Sequence, residues 1–410
     1  MSESRPEVLV VGGGPGGTAA AYWLARAGRA VTMVEKKSYP RDKTCGDGLT
    51  PRAIHELTRM GFDFDVPELH RIDGLRAYAG DKMMEMPWPR HSIYPSWGAV
   101  IRRSDLDMQV AALVEKQGVT VRQHTTAEAV MDRGRLTAVE LAHDGEREVV
   151  TPDIVVVADG SLSRFGRELG TSRDRDYPYG LAARAYFSSP RSEDRFLESQ
   201  LDLRDRHGRS VSGYGWIFPL GDGTVNLGVG VLSTFQGWKD VNTSVLMETM
   251  VDNSPASWEL ERITDPRGGK LPMALSVGPR VGPNWVLVGD AIGAVNPFNG
   301  EGIDYAYETG RLAAGHIDRA LAAGDPALLH DYARELDDRY GAYHRVARAF
   351  VMAIGRPRVM RALAYTGIHS RPLMEWTLKV MANLLEPEEK GVAEWVYEAV
   401  ERVVRIGPEP

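Results

Sequence analysis

Two glycine-bearing turns and one aromatic run hold the residue types best suited to chemistry. The first turn is Val8-Leu9-Val10-Val11-Gly12-Gly13-Gly14-Pro15-Gly16-Gly17, and Glu35 follows at the end of Ala30-Val31-Thr32-Met33-Val34. An apolar run, a glycine turn and a small-residue run predict strand, turn and helix. Gly12 permits the tight turn, Gly14 lets backbone approach a pyrophosphate, and Gly17 lets the helix pack on the strand. Gly16 completes this phosphate cradle, where free N–H groups and the positive dipole end favour phosphate. Glu35 can accept both ribose hydroxyl protons. With two strands, helix and terminal acid in place, a dinucleotide site is favoured over a plain glycine-rich turn. The second turn is Gly289-Asp290-Ala291, followed by Pro297-Phe298-Asn299-Gly300-Glu301-Gly302-Ile303. Asp290 can hold a ribose or ribityl hydroxyl. Gly300 and Gly302 leave room for a flat ring, and a helix starting at Ile303 would face negative charge on a reduced flavin.

The aromatic run is Tyr214-Gly215-Trp216-Ile217-Phe218-Pro219. On a strand, Tyr214, Trp216 and Phe218 share one face. They can line a slot for a long apolar chain, or simply pack as core. The Tyr214 hydroxyl could orient substrate or relay a proton. Arg41 and Lys43 could neutralise phosphate or a reduced flavin, or belong to a solvated loop. Lys36 and Lys37 read as surface charges rather than as a 2′-phosphate site.

The elements that must position these residues follow from periodicity. A first βαβ unit spans 7–35. Thr50-Pro51 opens a helix that Gly61 stops, and Ser104 begins another that Gly118 stops. Residues 127–132 and 136–141 form a hairpin, and Ile154 to Ala158 a buried strand ending at Asp159-Gly160. Alternation from about 178 to 272 predicts a second, mostly antiparallel sheet, with 64–100 in the same layer. A buried strand returns at Trp285 to Gly289, a helix runs from about Gly302 to Ala323, and a helical region extends from Asp325-Pro326 to about 405.

The 410 residues, 43% hydrophobic and 26% charged, suit two or three domains with a large core. A net charge of −7 argues against nucleic acid as a partner. No apolar run approaches the roughly 20 residues of a membrane span. The chain opens directly into its first strand without a signal segment, so a cytoplasmic location is expected. The single cysteine, Cys45, allows neither an intrachain disulfide nor a zinc or iron–sulfur site, so no metal is expected. By itself it reads as a small buried hydrophobe.

Together these residues resemble FAD-dependent enzymes of the p-hydroxybenzoate hydroxylase-like superfamily. The shared fingerprints are Gly12/Gly14/Gly17, Asp159-Gly160 and Gly289-Asp290, with Arg103-Ser104-Asp105-Leu106-Asp107 as a further match. Pro40-Arg41-Asp42-Lys43-Thr44-Cys45-Gly46-Asp47-Gly48 and the aromatic run narrow the likeness to the geranylgeranyl reductase family, and within it to the actinobacterial menaquinone reductases. Val211, Ser212 and Gly213 stand where that family usually carries a proline before the tyrosine. The resemblance implies an α/β (α+β) architecture: a Rossmann-type FAD-binding domain (1–63, 101–177 and 273–325), an antiparallel-sheet substrate domain (64–100 and 178–272) and a C-terminal helical region (326–410). It places Arg103 and Asp159 against FAD, Ala127 near the adenine, and Cys45, Gly46 and Gly48 beside the isoalloxazine.

The implied activity is reduction of an isoprenoid carbon–carbon double bond in menaquinone or a related prenyl lipid. FAD delivers hydride, Tyr214, Trp216 and Cys45 form the catalytic face, and Tyr214 or an ordered water gives the proton. The reductant is NAD(P)H or a separate electron donor. One alternative is an FAD-dependent monooxygenase or halogenase acting on an aromatic or polyketide substrate. Against it, Tyr214 replaces the first tryptophan of the halogenase motif. Another alternative is a non-catalytic flavin- or lipid-binding protein. Finally, Arg345, Arg348, Arg356, Arg358 and Arg361 lie among apolar residues with no acid between Arg339 and Arg371. Such a stretch can rest on the inner face of an anionic membrane, or pack as core with solvated arginines.

Overall fold

The apolar runs that end at the two glycine turns are members of one parallel sheet. In the computed structural model, which describes residues 6–385, the strand order is Val281–Gly282, Trp285–Leu287, Ile154–Val157, Val8–Val11, Val31–Val34, Thr120–Arg122. Every pairing is parallel except the hairpin between 281–282 and 285–287. Val8–Val11, Ile154–Val157 and Trp285–Leu287 are buried at every position, which is why they read as continuous rather than alternating apolar runs.

Helices α1 (Pro15–Arg26), α2 (Pro51–Met60), α3 (Arg103–Lys116) and the short α4 (Arg164–Glu168) come from the first half of the chain. Later come α5 (Thr243–Asn253), α6 (Ile303–Ala323), α7 (His330–Ile354), α8 (Pro357–Ile368) and α9 (Arg371–Met381). Helix α6 crosses α1 closely, because a Cβ at Gly310 would lie 2.4 Å from the Gly16 carbonyl oxygen. The helix that follows the second turn thus reaches the first turn's helix through direct backbone approach. Helix α3 begins at Arg103, one residue before the expected Ser104, with Arg102 at its N-cap. Thr50 stands at the N-cap of α2, yet its hydroxyl does not cap; it bonds Glu301 instead.

The second sheet has eight strands, ordered Glu261–Arg262, Tyr179–Ser188, Thr224–Leu232, Gly213–Pro219, Phe196–Gln200, Gly74–Ala79, Lys82–Pro87, with Arg267–Pro272 also on Tyr179–Ser188. All its pairings are antiparallel except 196–200 with 74–79. Only part of segment 64–100 joins it. His70–Ile72 and Gly98–Val100 instead make a small sheet with Gly48–Leu49. Gly98 allows this: a Cβ there would lie 2.5 Å from the Leu49 carbonyl oxygen. The expected hairpin at 127–141 is part of a separate three-stranded sheet, Thr125–Asp132, Arg135–His143 and Glu146–Val150. Among the described residues no helix is long and apolar enough to cross a membrane. The part of the expected C-terminal helical region beyond residue 385 lies outside the described residues.

Candidate active site

Around the first turn, the glycines serve two distinct needs. Gly12 has φ +109°, and a Cβ there would lie 2.4 Å from the Ala158 carbonyl oxygen. At Gly17 a Cβ would sit 1.9 Å from the Gly12 carbonyl oxygen, and at Gly16 3.1 Å from the Val288 side chain. Gly14 differs: its nearest neighbour is the Arg41 guanidinium, 3.7 Å from where a Cβ would stand. Bare backbone with a cation beside it is what a pyrophosphate requires. Buried Glu35 accepts hydrogen bonds from the Gly13 and Lys37 N–H groups, both at 3.1 Å, and pairs with Arg41 at 3.1 Å. Arg41 also meets Asp107 at 3.1 Å, and Asp107 grips Arg103 through two bonds of 2.9 and 2.8 Å. An alternating chain Glu35–Arg41–Asp107–Arg103 therefore flanks the turn.

Asp159 accepts from the Phe165 N–H at 3.0 Å, while its second oxygen is buried without a partner among the described residues. Burial pushes this carboxyl upward. Ala127 lies on the strand whose Thr125 N–H donates to the Glu35 carbonyl at 2.9 Å. Lys36 and Lys37 are exposed.

At the other end, sheet register assembles the apolar slot. Tyr214, Trp216 and Phe218 stand opposite Gly230, Gly228 and Asn226. A Cβ at Gly228 would lie 2.3 Å from the Trp216 ring, so glycine makes room for the indole. Ring centroids along the row are 5.8 and 6.1 Å apart. Gly46 and Gly48 press on Phe218, with Cβ positions 3.2 and 3.1 Å from its ring edge. The other strand face is closed by α5, since a Cβ at Gly215 would meet the Met250 sulfur at 2.1 Å.

The polar residues that hold this arrangement are ones that motif spacing did not reveal. Trp216 donates its ring N–H to Asn226 at 3.0 Å. Asn226, fully buried, donates to the Cys45 carbonyl at 2.8 Å and to Asp47 at 2.7 Å. Asp47 also accepts from the Tyr186 hydroxyl at 2.6 Å and the Arg103 N–H at 3.1 Å. Arg184 donates to Asp42 at 2.6 Å and the Lys43 carbonyl at 3.2 Å. By register Arg184, Tyr186 and Asn226 share the face of the aromatic row, so one sheet face pins the whole 42–47 loop. A signal for Asn226 existed: it is a lone amide in the otherwise apolar Val225-Asn226-Leu227 run. Cys45 is half-buried, and burial outweighs the nearby Arg103 charge to push its thiol up.

The Asn296–Gly302 loop of the second turn closes the slot. Tyr214 donates its hydroxyl to the Asn299 carbonyl at 2.6 Å. Gly300 has φ +77°, and a Cβ there would stand 3.8 Å from that hydroxyl. Behind the loop, Asn296 bonds the Tyr343 hydroxyl at 3.0 Å and the Met381 carbonyl at 2.9 Å. Gly302 precedes α6 without a side-chain cap, so the first N–H groups from Ile303 onward are left for another partner. Asp290 lies 3.3 Å from the Cβ position of Gly302. Glu301 bonds the Thr50 hydroxyl and accepts from the Asn299 amide at 3.3 Å. Burial, then the Asp304 charge, raises its carboxyl well above the usual range. Burial and Glu301 raise the Tyr214 hydroxyl too.

The structure thus gathers Gly12, Gly14, Gly16, Gly17, Glu35 and Arg103 at one end. At the other it gathers Cys45, Gly46, Gly48, Tyr214, Trp216, Phe218, Gly300 and Gly302. Asp159 and Asp290 stand between them on neighbouring strand ends, and Ala127 is tied in only through its strand. The open backbone at Gly14 facing Arg41, the orphaned Asp159 oxygen and the uncapped start of α6 fit the diphosphate, a sugar hydroxyl and the ring of FAD.

The likenesses to known proteins agree with that fit. A family model described as FAD binding domain matches residues 5–213. The chain is 39% identical to a menaquinone reductase of Mycolicibacterium smegmatis, over 96% of this chain and 94% of that protein. It is 27% identical to a digeranylgeranylglycerophospholipid reductase of Thermoplasma acidophilum, over 82% of this chain and 85% of that one. The crystal structure of a geranylgeranyl bacteriochlorophyll reductase-like protein from Thermoplasma acidophilum superposes with a TM-score of 0.78 at 22% identity, covering 96% of this chain and 99% of that one. The chain belongs to the FAD-binding geranylgeranyl reductase family, in the company of the mycobacterial menaquinone reductases.

Proposed function

We propose that this protein is an FAD-dependent reductase that hydrogenates a carbon–carbon double bond in the prenyl side chain of menaquinone or a related isoprenoid lipid. The observation that carries the reading is the Tyr214–Trp216–Phe218 row, held between the Cys45–Gly48 loop and Asn299–Gly302, in a chain with this degree of likeness to menaquinone reductases. FAD, when bound and reduced, supplies the hydride. The cofactor unit is assembled from 1–63, 101–177 and 273–325, with Arg103, Ala127, Asp159 and Asp290 lining it.

An isolated alkene has no carbonyl to polarise, so the protein must work by alignment, dryness and proton supply. The aromatic row takes the apolar chain. Trp216 keeps its N–H on Asn226, which leaves only ring surface toward the alkene. Cys45 serves as a neutral wall. The hydrogen of Tyr214 is committed to the Asn299 carbonyl, so Tyr214 acts as a positioning residue. Glu301 is the better acid: burial and the Asp304 charge favour its protonated form, its proton is not committed to a backbone carbonyl as that of Tyr214 is, and it touches the Thr50 hydroxyl, which can relay. The electron donor, NAD(P)H or a separate carrier, docks transiently.

Access to a lipid substrate is assigned to the tip formed by α7, α8 and α9. Arg348, Val351 and Ile354 are buried, so the basic stretch is not one continuous surface. Its outward part is Met352, Arg356, Arg358, Arg361 and Leu363, joined by Leu373, with Met352 at 53% and Leu363 at 48% exposure. Exposed apolar side chains among arginines suit the headgroup layer of an anionic bilayer.

Anaerobic incubation of the reduced holoenzyme with menaquinone tests the reading. Gain of two hydrogens in the prenyl chain, seen by mass spectrometry, is expected. Oxygen-dependent hydroxylation or halogenation, or binding without turnover, would overturn it.

A further inference from the structure

A second polar site lies behind the loop that closes the slot. A cavity of about 100 Å³ is lined by Tyr177, Arg280, His344, Arg345, Arg348 and the Ala274-Leu275 backbone, with Asp337 at its rim. Arg348 is 5% exposed and stacks on Tyr177 at 4.2 Å from the ring centroid. It makes no ion pair with any described residue, and its Nε has no hydrogen-bond partner there. His344 is 3% exposed, and neither ring nitrogen has a partner among the described residues. A buried guanidinium is costly unless a counter-charge and hydrogen bonds reach it.

The nearest acid cannot serve that need. Asp337 is exposed and bonds Arg280 at 2.6 Å. Three guanidinium groups therefore face the cavity against one carboxylate, and the two buried side chains offer N–H donors at its inner wall. Burial, reinforced by Arg280 and Arg348, lowers His344 to about 3, so the imidazole is neutral and gives one N–H donor. The wall is also joined to the flavin loop: Leu275 N–H donates to the Gly293 carbonyl at 2.8 Å and Ala274 N–H to the Val295 carbonyl at 3.1 Å.

We propose that this cavity binds a phosphate group, held by Arg280, Arg345 and Arg348 with His344 as an N–H donor. Guanidinium forks match tetrahedral oxyanions, and the cavity admits one such group rather than a nucleotide. The phosphate comes either from free phosphate or from an anionic phospholipid headgroup, since the same α7 carries Met352 one turn beyond Arg348. The site is independent of the substrate assigned to the slot.

The test uses FAD-saturated full-length protein, so that the pyrophosphate site is filled. Inorganic phosphate is titrated against chloride at matched ionic strength by calorimetry. Saturable binding of one phosphate is expected, weakened at least tenfold by Arg348→Met and by Arg345→Gln. The second variant changes a half-exposed residue and guards against misfolding of the first. Vesicles of phosphatidylcholine with phosphatidylglycerol separate the sources. Vesicle binding that phosphate inhibits and Arg345→Gln weakens identifies a headgroup; vesicle binding indifferent to both, with phosphate still bound in solution, identifies free phosphate. No saturable phosphate binding beyond chloride, or wild-type affinity retained in both arginine variants, overturns the proposal.

Discussion

Replacing Tyr214 by Phe separates a residue that positions the slot from one that donates the proton. The substitution removes one oxygen and leaves the ring. The Asn299 carbonyl then loses the hydroxyl that reaches it at 2.6 Å. An orphaned buried acceptor costs about 1–3 kcal/mol, equivalent to roughly 5- to 150-fold in an equilibrium constant. Because Asn299 adjoins Gly300, that loss falls on the loop against which the flavin ring would rest. Tyr214→Phe is therefore expected to weaken FAD binding and slow reoxidation of the reduced enzyme by menaquinone by similar factors. Glu301→Gln should behave differently. It keeps the shape and loses the proton, so FAD affinity holds while alkene reduction falls by about 10²–10⁴, the usual worth of a general acid. The pH profile gives the sign. An acid with a raised pKa is competent below that pKa and fails as pH climbs through it. The wild-type rate should fall on the alkaline side, and Glu301→Gln should remove that limb while Tyr214→Phe retains it. Assays are flavin fluorescence for affinity and anaerobic stopped-flow for the rate. If Tyr214→Phe abolishes the limb and leaves FAD binding intact, the phenol is the acid and the assignment to Glu301 is wrong.

Three further outcomes follow from named contacts. Gly12→Ala places a Cβ 2.4 Å from the Ala158 carbonyl at φ +109°, where left-handed backbone alone costs about 1–2 kcal/mol, so the purified variant should lack flavin absorbance. Gly14→Ala meets only the movable end of Arg41 at 3.7 Å within the protein, so its thermal midpoint without flavin should hold where that of Gly12→Ala falls, while its FAD affinity drops because the Cβ stands where the diphosphate would approach; equal thermal midpoints in the two variants would contradict the backbone argument. His344 is held to about 3 when folded and titrates near 6.5 when unfolded, so the unfolded chain binds more protons between those values. Stability should therefore drop as pH falls from about 6.5, by up to about 1.4 kcal/mol per pH unit from this group. In phosphate-free buffer His344→Leu should flatten the thermal midpoint over that range, and a parallel curve would show the histidine is not responsible. Met352→Asp with Leu363→Asp should abolish co-sedimentation with anionic vesicles without changing flavin content. Undiminished sedimentation would remove the α7–α9 tip as the contact.

The parts of the site legible in sequence are those where one local constraint fixes one residue. Gly12 must be glycine because its backbone is left-handed and touches the next strand, and the apolar runs beside it report strands buried on both faces. Trp216 announces itself by period two. What sequence could not show is pairing at a distance. Asn226 matters because register sets it opposite Phe218 and under Cys45, and Arg41 because a loop folds it between Glu35 and Asp107. The small sheet built on Gly48–Leu49 escaped for the same reason, since Gly98 has meaning only once Leu49 lies against it.

These long-range pairings also explain how one chain keeps a lipid slot aligned with a dinucleotide cradle. Asp47 is the joint. It receives Asn226 and Tyr186 from the second sheet and the Arg103 N–H from α3. Arg103 in turn reaches the Gly12–Gly17 turn through Asp107, Arg41 and Glu35. Substrate wall and phosphate cradle are therefore two ends of one buried, charge-assisted network rather than two sites placed side by side. Loosening the slot at Asn226 should register at the far end: Asn226→Leu strands the Trp216 N–H and removes two donors from the 45–47 loop, so FAD affinity should fall although no atom of Asn226 lies beside the first turn. Unchanged FAD affinity in that variant would mean that the two ends are held independently.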